Sequence, residues 1–280
     1  RLDATLGRAL PARSARAGRS GVLESSPDPG RPRPVGSPSA APVASRPVSI
    51  FALVHGAWHG AWCWERLTPE LERRGHRVVA VDLPCDDPDA MFDDYAAVVV
   101  DALADAGDEV VVVGHSLAGH TIPLVAARRP VRRLVFLCAL IAQPGASFVD
   151  QLRADAGIFV PGYEAGLAPA GERQLRAWAD YDIARATMFG DCAEADARAA
   201  FARLRPQAST PYFAPCSLTS FPAVPATSVV TADDRIVNPA WSRRAAAERL
   251  GVRAVELPGS HSPQIAQPEA IADILVGQSS

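Results

Sequence analysis

Apolar residues fall into two regimes along the chain. Residues 1–47 are rich in Pro, Ser, Gly, Ala and Arg and show no hydrophobic period, so they bury too little surface to offset the entropy of ordering and are expected to form a disordered tail. From residue 48, short continuous apolar runs alternate with longer amphipathic stretches. The runs at 48–54, 77–81, 109–113, 132–141, 228–230 and 253–257 have the length and branching of buried strands. Helices are expected around Leu67 and Leu71 up to Gly75, over 90–106, from Ser116 to about Arg129, over 239–250 and over 264–276. This alternation predicts an α/β domain, a mainly parallel sheet with helices on both faces.

Between residues 146 and 222 the alternation lapses into short helical pieces and Pro-containing loops, with Phe159, Tyr163, Trp178, Phe189, Tyr212 and Phe213 scattered through it. A structureless loop of that length is improbable inside a compact domain. It is expected to be an inserted lid, with 48–145 and 223–280 forming the core.

Composition narrows the chemistry. A chain of 280 residues, 48% hydrophobic, can bury one large core with an insertion. The formal charge is −3, but the first 47 residues hold eight Arg against three acids, so the body is acidic. No nucleic-acid partner is expected of such a body. Every one of the 28 basic residues is Arg, which removes Schiff-base lysines and the phosphate-gripping lysine of a P-loop. Cys63, Cys85, Cys138, Cys192 and Cys216 form no C-x-x-C pair and are read as reduced thiols of a cytoplasmic protein. No apolar run approaches the ~20 residues that span a bilayer, so no membrane partner is expected. The tail has no apolar h-region; its Arg-rich, acid-poor character fits an organelle-targeting leader, although a plain flexible extension is the preferred reading.

The chemical signal is Gly114-His115-Ser116-Leu117-Ala118-Gly119, a serine on a tight turn between a buried strand and a helix. Ala118 stands where the usual G-x-S-x-G pattern has Gly. The motif is short, and context must support it. A serine needs a base within hydrogen-bond reach and a third group to orient that base. His261 follows the last predicted strand, on the same sheet edge as Ser116, and Asp233 and Asp234 follow the strand before it. Neighbouring residues leaving a strand point to opposite sides, so only one of the two acids reaches the imidazole. Backbone N–H groups of Ala57, in the loop after the first strand, and Leu117 are the natural donors to an oxyanion. His55, His115 and His120 are expected to be structural. Of Trp58, Trp62 and Trp64, only Trp58 is expected near a substrate.

The run from His55 through Gly56-Ala57-Trp58-His59-Gly60-Ala61-Trp62-Cys63 to Trp64, with the serine turn and Gly259-Ser260-His261-Ser262-Pro263, resembles the α/β-hydrolase branch of plant methylesterases, hydroxynitrile lyases and related bacterial esterases. The resemblance covers about residues 48–276. It implies the α/β-hydrolase fold, Ser116, His261 and Asp234 as a triad, Ala57 and Leu117 as oxyanion donors, and no metal or organic cofactor. The family's acid loop runs G-x-x-D into a small apolar turn, which aligns Asp234 rather than Asp233. Lyase members carry Lys directly after the catalytic His and Thr in the first loop; here those positions are Ser262 and Gly56, so lyase activity is not expected. Relatives with an Asp nucleophile are excluded by Ser116. The implied reaction is hydrolysis of a small hydrophobic carboxylic ester through an acyl-enzyme. A thioesterase, lactonase or acyltransferase would use the same residues, and a non-catalytic small-ligand-binding protein on the same fold is the alternative from another class.

Overall fold

Four of the six strands of the central sheet contain apolar runs buried along most or all of their length, and this follows from their position. The computed structural model describes residues 48–277; the expected tail lies outside the described residues. Strands β1 (Ile50–Val54), β2 (Arg77–Val81), β3 (Val110–His115), β4 (Arg133–Leu137), β7 (Ala226–Thr231) and β8 (Val255–Leu257) form one sheet in the order β2-β1-β3-β4-β7-β8. Every pairing in it is parallel. Strands β1 and β3 are buried at every residue, as a parallel sheet covered on both faces requires. The edge strand β2 instead exposes Arg77 and Ala80.

Helices α1 (Thr68–Arg73), α2 (Phe92–Ala102), α3 (Ile122–Ala126), α7 (Pro239–Leu250), α8 (Pro263–Ala266) and α9 (Pro268–Gly277) accompany the sheet, with α1 packed on α9 and α2 on α3. The expected helix over 264–276 is two helices. Pro268 disfavours helical backbone at the residue before it, and Gln267 accordingly leaves the helical region at φ −134°. The helix expected from Ser116 is likewise divided, into a 3-10 turn Ser116–His120 and α3, where Pro123 has no N–H to carry the ladder across. The strand expected over 132–141 ends at Leu137, because Cys138 adopts φ 47° and Leu140 N–H turns to donate to the Ser116 carbonyl at 2.9 Å.

Between β4 and β7 lie α4 (Phe148–Ala154), α5 (Tyr181–Met188), α6 (Glu194–Phe201) and a two-stranded antiparallel ladder of β5 (Leu175–Arg176) and β6 (Gln207–Ala208). Local signals start these helices. The Ser147 hydroxyl accepts from Asp150 N–H at 3.0 Å at the head of α4, and Asp180 accepts from Ile183 N–H at 3.0 Å at the head of α5.

The chain runs from β1 outward to β2 and then returns to place β3 on the other side of β1. The loops leaving β1 and β3 therefore diverge at a topological switch point, where a crevice opens at the carboxyl ends of the strands. Val54 is in register with Gly114, which brings the His55-Gly56 turn against His115-Ser116. The approach is close enough that a Cβ on Gly56 would lie 2.6 Å from Ser116 Cβ.

The turn after Ser116 is tighter still on its other side. A Cβ on Gly119 would meet the Leu140 carbonyl oxygen at 2.1 Å, whereas Ala118 is accommodated within the buried core. Gly119→Ala should therefore lower stability by about 1–3 kcal/mol through overpacking, read as the shift of the urea unfolding midpoint. Gly107→Ala, where nothing lies within 4 Å of the added carbon, is the control and should leave the midpoint in place.

Candidate active site

Ser116 leaves β3 in a conformation that few side chains adopt, with φ 53°. Backbone in that region costs of order 1–3 kcal/mol for a non-glycine residue. The bond from Leu140 N–H to its carbonyl and the 3-10 turn behind it hold the serine there. Its Oγ lies 2.9 Å from His261 Nε2.

His261 sits in the loop after β8, and its other ring nitrogen, Nδ1, lies 2.8 Å from Asp234 Oδ2. The second oxygen of Asp234 is also occupied, because Oδ1 accepts from Ile236 N–H at 2.8 Å and Val237 N–H at 3.0 Å. All three residues are buried. Asp233 turns the other way, its carboxylate accepting from Gly259 N–H at 3.3 Å. The structure thus joins Ser116, His261 and Asp234 in one hydrogen-bonded chain and leaves Asp233 out of it. With Nδ1 donating to the carboxylate, Nε2 is the free lone pair facing the serine hydroxyl, the arrangement that lets an imidazole take the serine proton.

Three further histidines brace this chain without joining it. His115 Nε2 donates to the His261 carbonyl at 2.8 Å, fixing the backbone from which the imidazole hangs. His55 accepts from Leu83 N–H through Nε2 at 2.9 Å, so its Nδ1 carries the proton and donates to the Gly56 carbonyl at 2.8 Å. That carbonyl shares a peptide plane with the Ala57 N–H, and the bond fixes the plane's orientation. His59 Nδ1 donates to the Ala57 carbonyl at 2.7 Å. Burial lowers His55 to about 4, with the bond to Gly56 opposing, and lowers His59 to about 3. It also pushes His115 well below the usual imidazole range. His120, stacked on Phe92 at 5.0 Å, is lowered to about 3 by burial and then by the charge of Arg249.

The His261 loop has an outer support that sequence reasoning missed. Ser260 Oγ donates to Asp191, and Gln267 Nε2 donates to the other Asp191 oxygen at 2.9 Å and to the Pro258 carbonyl at 2.9 Å. Asp191 belongs to the segment between β4 and β7, and no local signal marks it.

Above Ser116 lies a cleft lined by Ala57, Trp58, Ser116 and Leu117 on the core side. Phe148, Phe159, Tyr163, Leu167 and Tyr212 line it from the segment between β4 and β7, together with Arg176, Gln207 and Ser209. Among the described residues, the backbone hydrogen bonds of turns and loops include none donated by Ala57 or Leu117 N–H. Trp58, at φ 65°, stands over the site and donates from Nε1 to the Arg176 carbonyl at 3.1 Å. Trp64 is buried in the core, and Trp62 stacks on His59 at 5.3 Å. Tyr163 and Tyr212 stood out in the sequence only as aromatics scattered through an insertion; Arg176 and Gln207 carried no signal, because a two-residue strand has no period to read.

The chain is similar to known proteins in sequence and in fold. A family described as "Alpha/beta hydrolase family" matches residues 51–274. A probable esterase of Oryza sativa subsp. indica is 38% identical over 106 residues, 34% of this chain and 40% of the rice protein. The chain thus spans about two fifths of the length of the rice relatives it matches. A pyrethroid hydrolase of Sphingobium wenxiniae is 29% identical over 244 residues, 81% of this chain and 86% of its own. Among solved structures, a pyrethroid hydrolase superposes with a TM-score of 0.69 at 25% identity, covering 83% of this chain and 98% of that one. Polyneuridine aldehyde esterase, at 21% identity and a TM-score of 0.70 over 84% of this chain and 100% of its own, shares the fold.

The buried imidazoles make a prediction about acid stability. Unfolded, each protonates near 6.5; folded, His55, His59 and His120 stay neutral down to about 4, 3 and 3. The unfolded chain therefore binds more protons below pH 6.5, and stability falls with pH at about 1.4 kcal/mol per unit for each histidine. Urea unfolding at about pH 5 should show a midpoint well below that at about pH 7.5, and equal midpoints would contradict neutral, buried imidazoles.

Proposed function

The chain belongs to the α/β-hydrolase family, and on that premise we propose that it is a serine esterase acting on carboxylic esters with an apolar body. One observation carries the reading: the continuous hydrogen-bonded chain from Asp234 through His261 to Ser116, which ends where Ser116 lines a mostly apolar cleft. The esterases and the pyrethroid hydrolase among its relatives support the same class of reaction.

Ser116 Oγ attacks the ester carbonyl carbon while its proton passes to His261 Nε2. Asp234 stabilises the imidazolium so formed without taking its proton. The oxyanion is held by the N–H groups of Ala57 and Leu117, the first of them oriented through the His55 bond to the Gly56 carbonyl. Collapse of the tetrahedral intermediate breaks the bond to the alkoxide, which takes the proton from His261 and leaves as an alcohol. Water then attacks the acyl-enzyme, giving a proton to His261; the carboxylic acid departs as Ser116 takes that proton back. The segment over 146–222 serves as a lid that keeps bulk water from this sequence. Cyanohydrin cleavage is not part of the reading, since the chain contains no Lys to put an ammonium beside His261.

A serine-directed fluorophosphonate should label Ser116, and short-chain aryl esters should be hydrolysed. Ser116→Ala should lose both labelling and turnover while its unfolding midpoint is retained. Labelling of another residue, or more than a few per cent residual turnover, would move the nucleophile elsewhere.

The two adjacent acids separate on the same substrate. Asp234→Asn removes the carboxylate that holds the His261 tautomer and stabilises the imidazolium, so turnover should fall by a factor on the order of ten thousand. Asp233→Asn alters a bond to the Gly259 backbone and should cost less than about tenfold, an interaction worth roughly 1 kcal/mol. Comparable losses in the two variants, both confirmed folded, would count against Asp234 as the orienting acid.

A further inference from the structure

The cleft is apolar except for one group of side chains that the mechanism leaves idle. In the ladder of β5 and β6, Arg176 is directly paired with Gln207. Directly opposed residues of an antiparallel pair project to the same face, and here both line the cleft. Among the described residues, the Arg176 guanidinium makes one hydrogen bond, from Nε to the Ala168 carbonyl at 3.4 Å. It has no ion pair among the described residues, and no residue lining the cleft is acidic. Arg205, three residues before the end of the same segment's second strand, shows the contrast: it donates to the Leu83 carbonyl at 2.7 Å and to Asp86 at 3.2 Å.

Two phenols share the cleft with this cation. Neither the Tyr163 nor the Tyr212 hydroxyl has a hydrogen-bond partner among the described residues. Burial pushes the Tyr163 hydroxyl up to about 12 and that of Tyr212 well above the usual phenol range, while the positive charge of Arg176 acts on both in the opposite sense. Both therefore stay protonated at neutral pH, and both feel the guanidinium. Gln207, only 2% exposed, spends Nε2 on the Tyr95 hydroxyl at 3.2 Å and the Ala208 carbonyl at 2.8 Å. Its Oε1 is buried without a partner, an acceptor left for a water or for a hydroxyl on the bound group.

A half-buried cation without an ion-pair partner is unfavourable, and three side chains with unspent N–H or O–H donors line one cleft that contains no carboxylate. A guanidinium fork matches a carboxylate with two parallel N–H bonds. We propose that Arg176, with Tyr163 and Tyr212, forms a binding site for a carboxylate carried by the substrate, so that the preferred ester bears a second, ionised acid group. Its apolar body lies against Phe148, Phe159 and Leu167, and the ester carbonyl reaches Ser116. This substrate class rests on the esterase reading above.

The test compares matched pairs of esters that differ only in the acid group. Mono-4-nitrophenyl adipate is set against 4-nitrophenyl hexanoate for a carboxylate on the acyl side, and 4-carboxyphenyl butyrate against phenyl butyrate for the alcohol side. In at least one pair the acid ester should have the higher kcat/KM, carried mainly by KM. Arg176→Gln should reduce the acid-to-neutral ratio about ten- to a hundredfold, the worth of a charged hydrogen bond, and Arg176→Lys should restore part of it. Ratios near one in both pairs for the native enzyme, or equal losses on acid and neutral esters in Arg176→Gln, would overturn the proposal. Failure of the esterase reading looks different: no turnover of any of the four esters and no fluorophosphonate labelling. In that event calorimetric binding of monomethyl adipate to Ser116→Ala still decides, since the site requires binding that Arg176→Gln removes from the same background, and absence of binding overturns it.

Discussion

The site depends on one strained turn. Ser116 holds φ 53°, and that conformation lifts its hydroxyl out of the sheet toward the switch-point crevice while the chain reverses into the 3-10 turn. Two contacts pin it from opposite sides: the His55-Gly56 turn at the end of β1, and Leu140 beyond β4, whose N–H donates to the Ser116 carbonyl. Both require glycine opposite them. The residue that cannot carry a side chain behind the nucleophile is Gly119, where a Cβ would fall 2.1 Å from the Leu140 oxygen. Ala118, at the position where the motif usually has Gly, meets no such limit, and the departure leaves the turn intact.

Around this turn the protein uses neutral imidazoles as fixed donors. His55, His59 and His115 each donate one N–H to a backbone carbonyl of a loop that shapes the site, namely Gly56, Ala57 and His261. Burial keeps them uncharged, so none of them opposes a positive charge on His261 as a second imidazolium would. Among the described residues, Asp234 is the one carboxylate in hydrogen-bond contact with His261, and two backbone N–H groups on its other oxygen hold it in place. Preorganisation of this kind places donors before charge appears, so little of the barrier goes into reorienting them.

Much of this was legible in the sequence, for identifiable reasons. Strands buried on both faces read as continuous apolar runs, and catalytic loops follow strand ends, so Ser116, His261 and the Asp233-Asp234 pair could be placed on one sheet edge. Choosing between the two acids needed the resemblance as well as the pleat. What escaped was set by long-range geometry. The pairing of Arg176 with Gln207 joins two-residue strands with 30 residues between them, and Asp191 meets Ser260 across 69 positions; neither leaves a periodic trace. The end of β4 at Leu137 was hidden for a related reason, because the apolar run continues through Ile141 while the backbone turns at Cys138.

The segment between β4 and β7 does more than line the cleft, because it is bonded to both loops that carry His261 and Asp234. Val160 N–H donates to the Ile236 carbonyl at 2.9 Å and Asn238 N–H to the Ile158 carbonyl at 2.9 Å, bracketing the turn whose N–H groups hold Asp234. Asp191 grips Ser260 beside His261, and the Arg176 carbonyl accepts the Trp58 indole next to Ala57. The same stretch of chain that supplies the cleft's cation and phenols therefore braces the loops bearing Asp234, His261 and Ala57. On the proposed reading, a substrate group held by Arg176 is anchored to β5, the strand whose Arg176 carbonyl also accepts the Trp58 indole, so one element would carry both the remote binding group and a contact to the loop bearing Ala57 N–H. That is the arrangement by which binding energy gained away from the reacting bond is spent on positioning it.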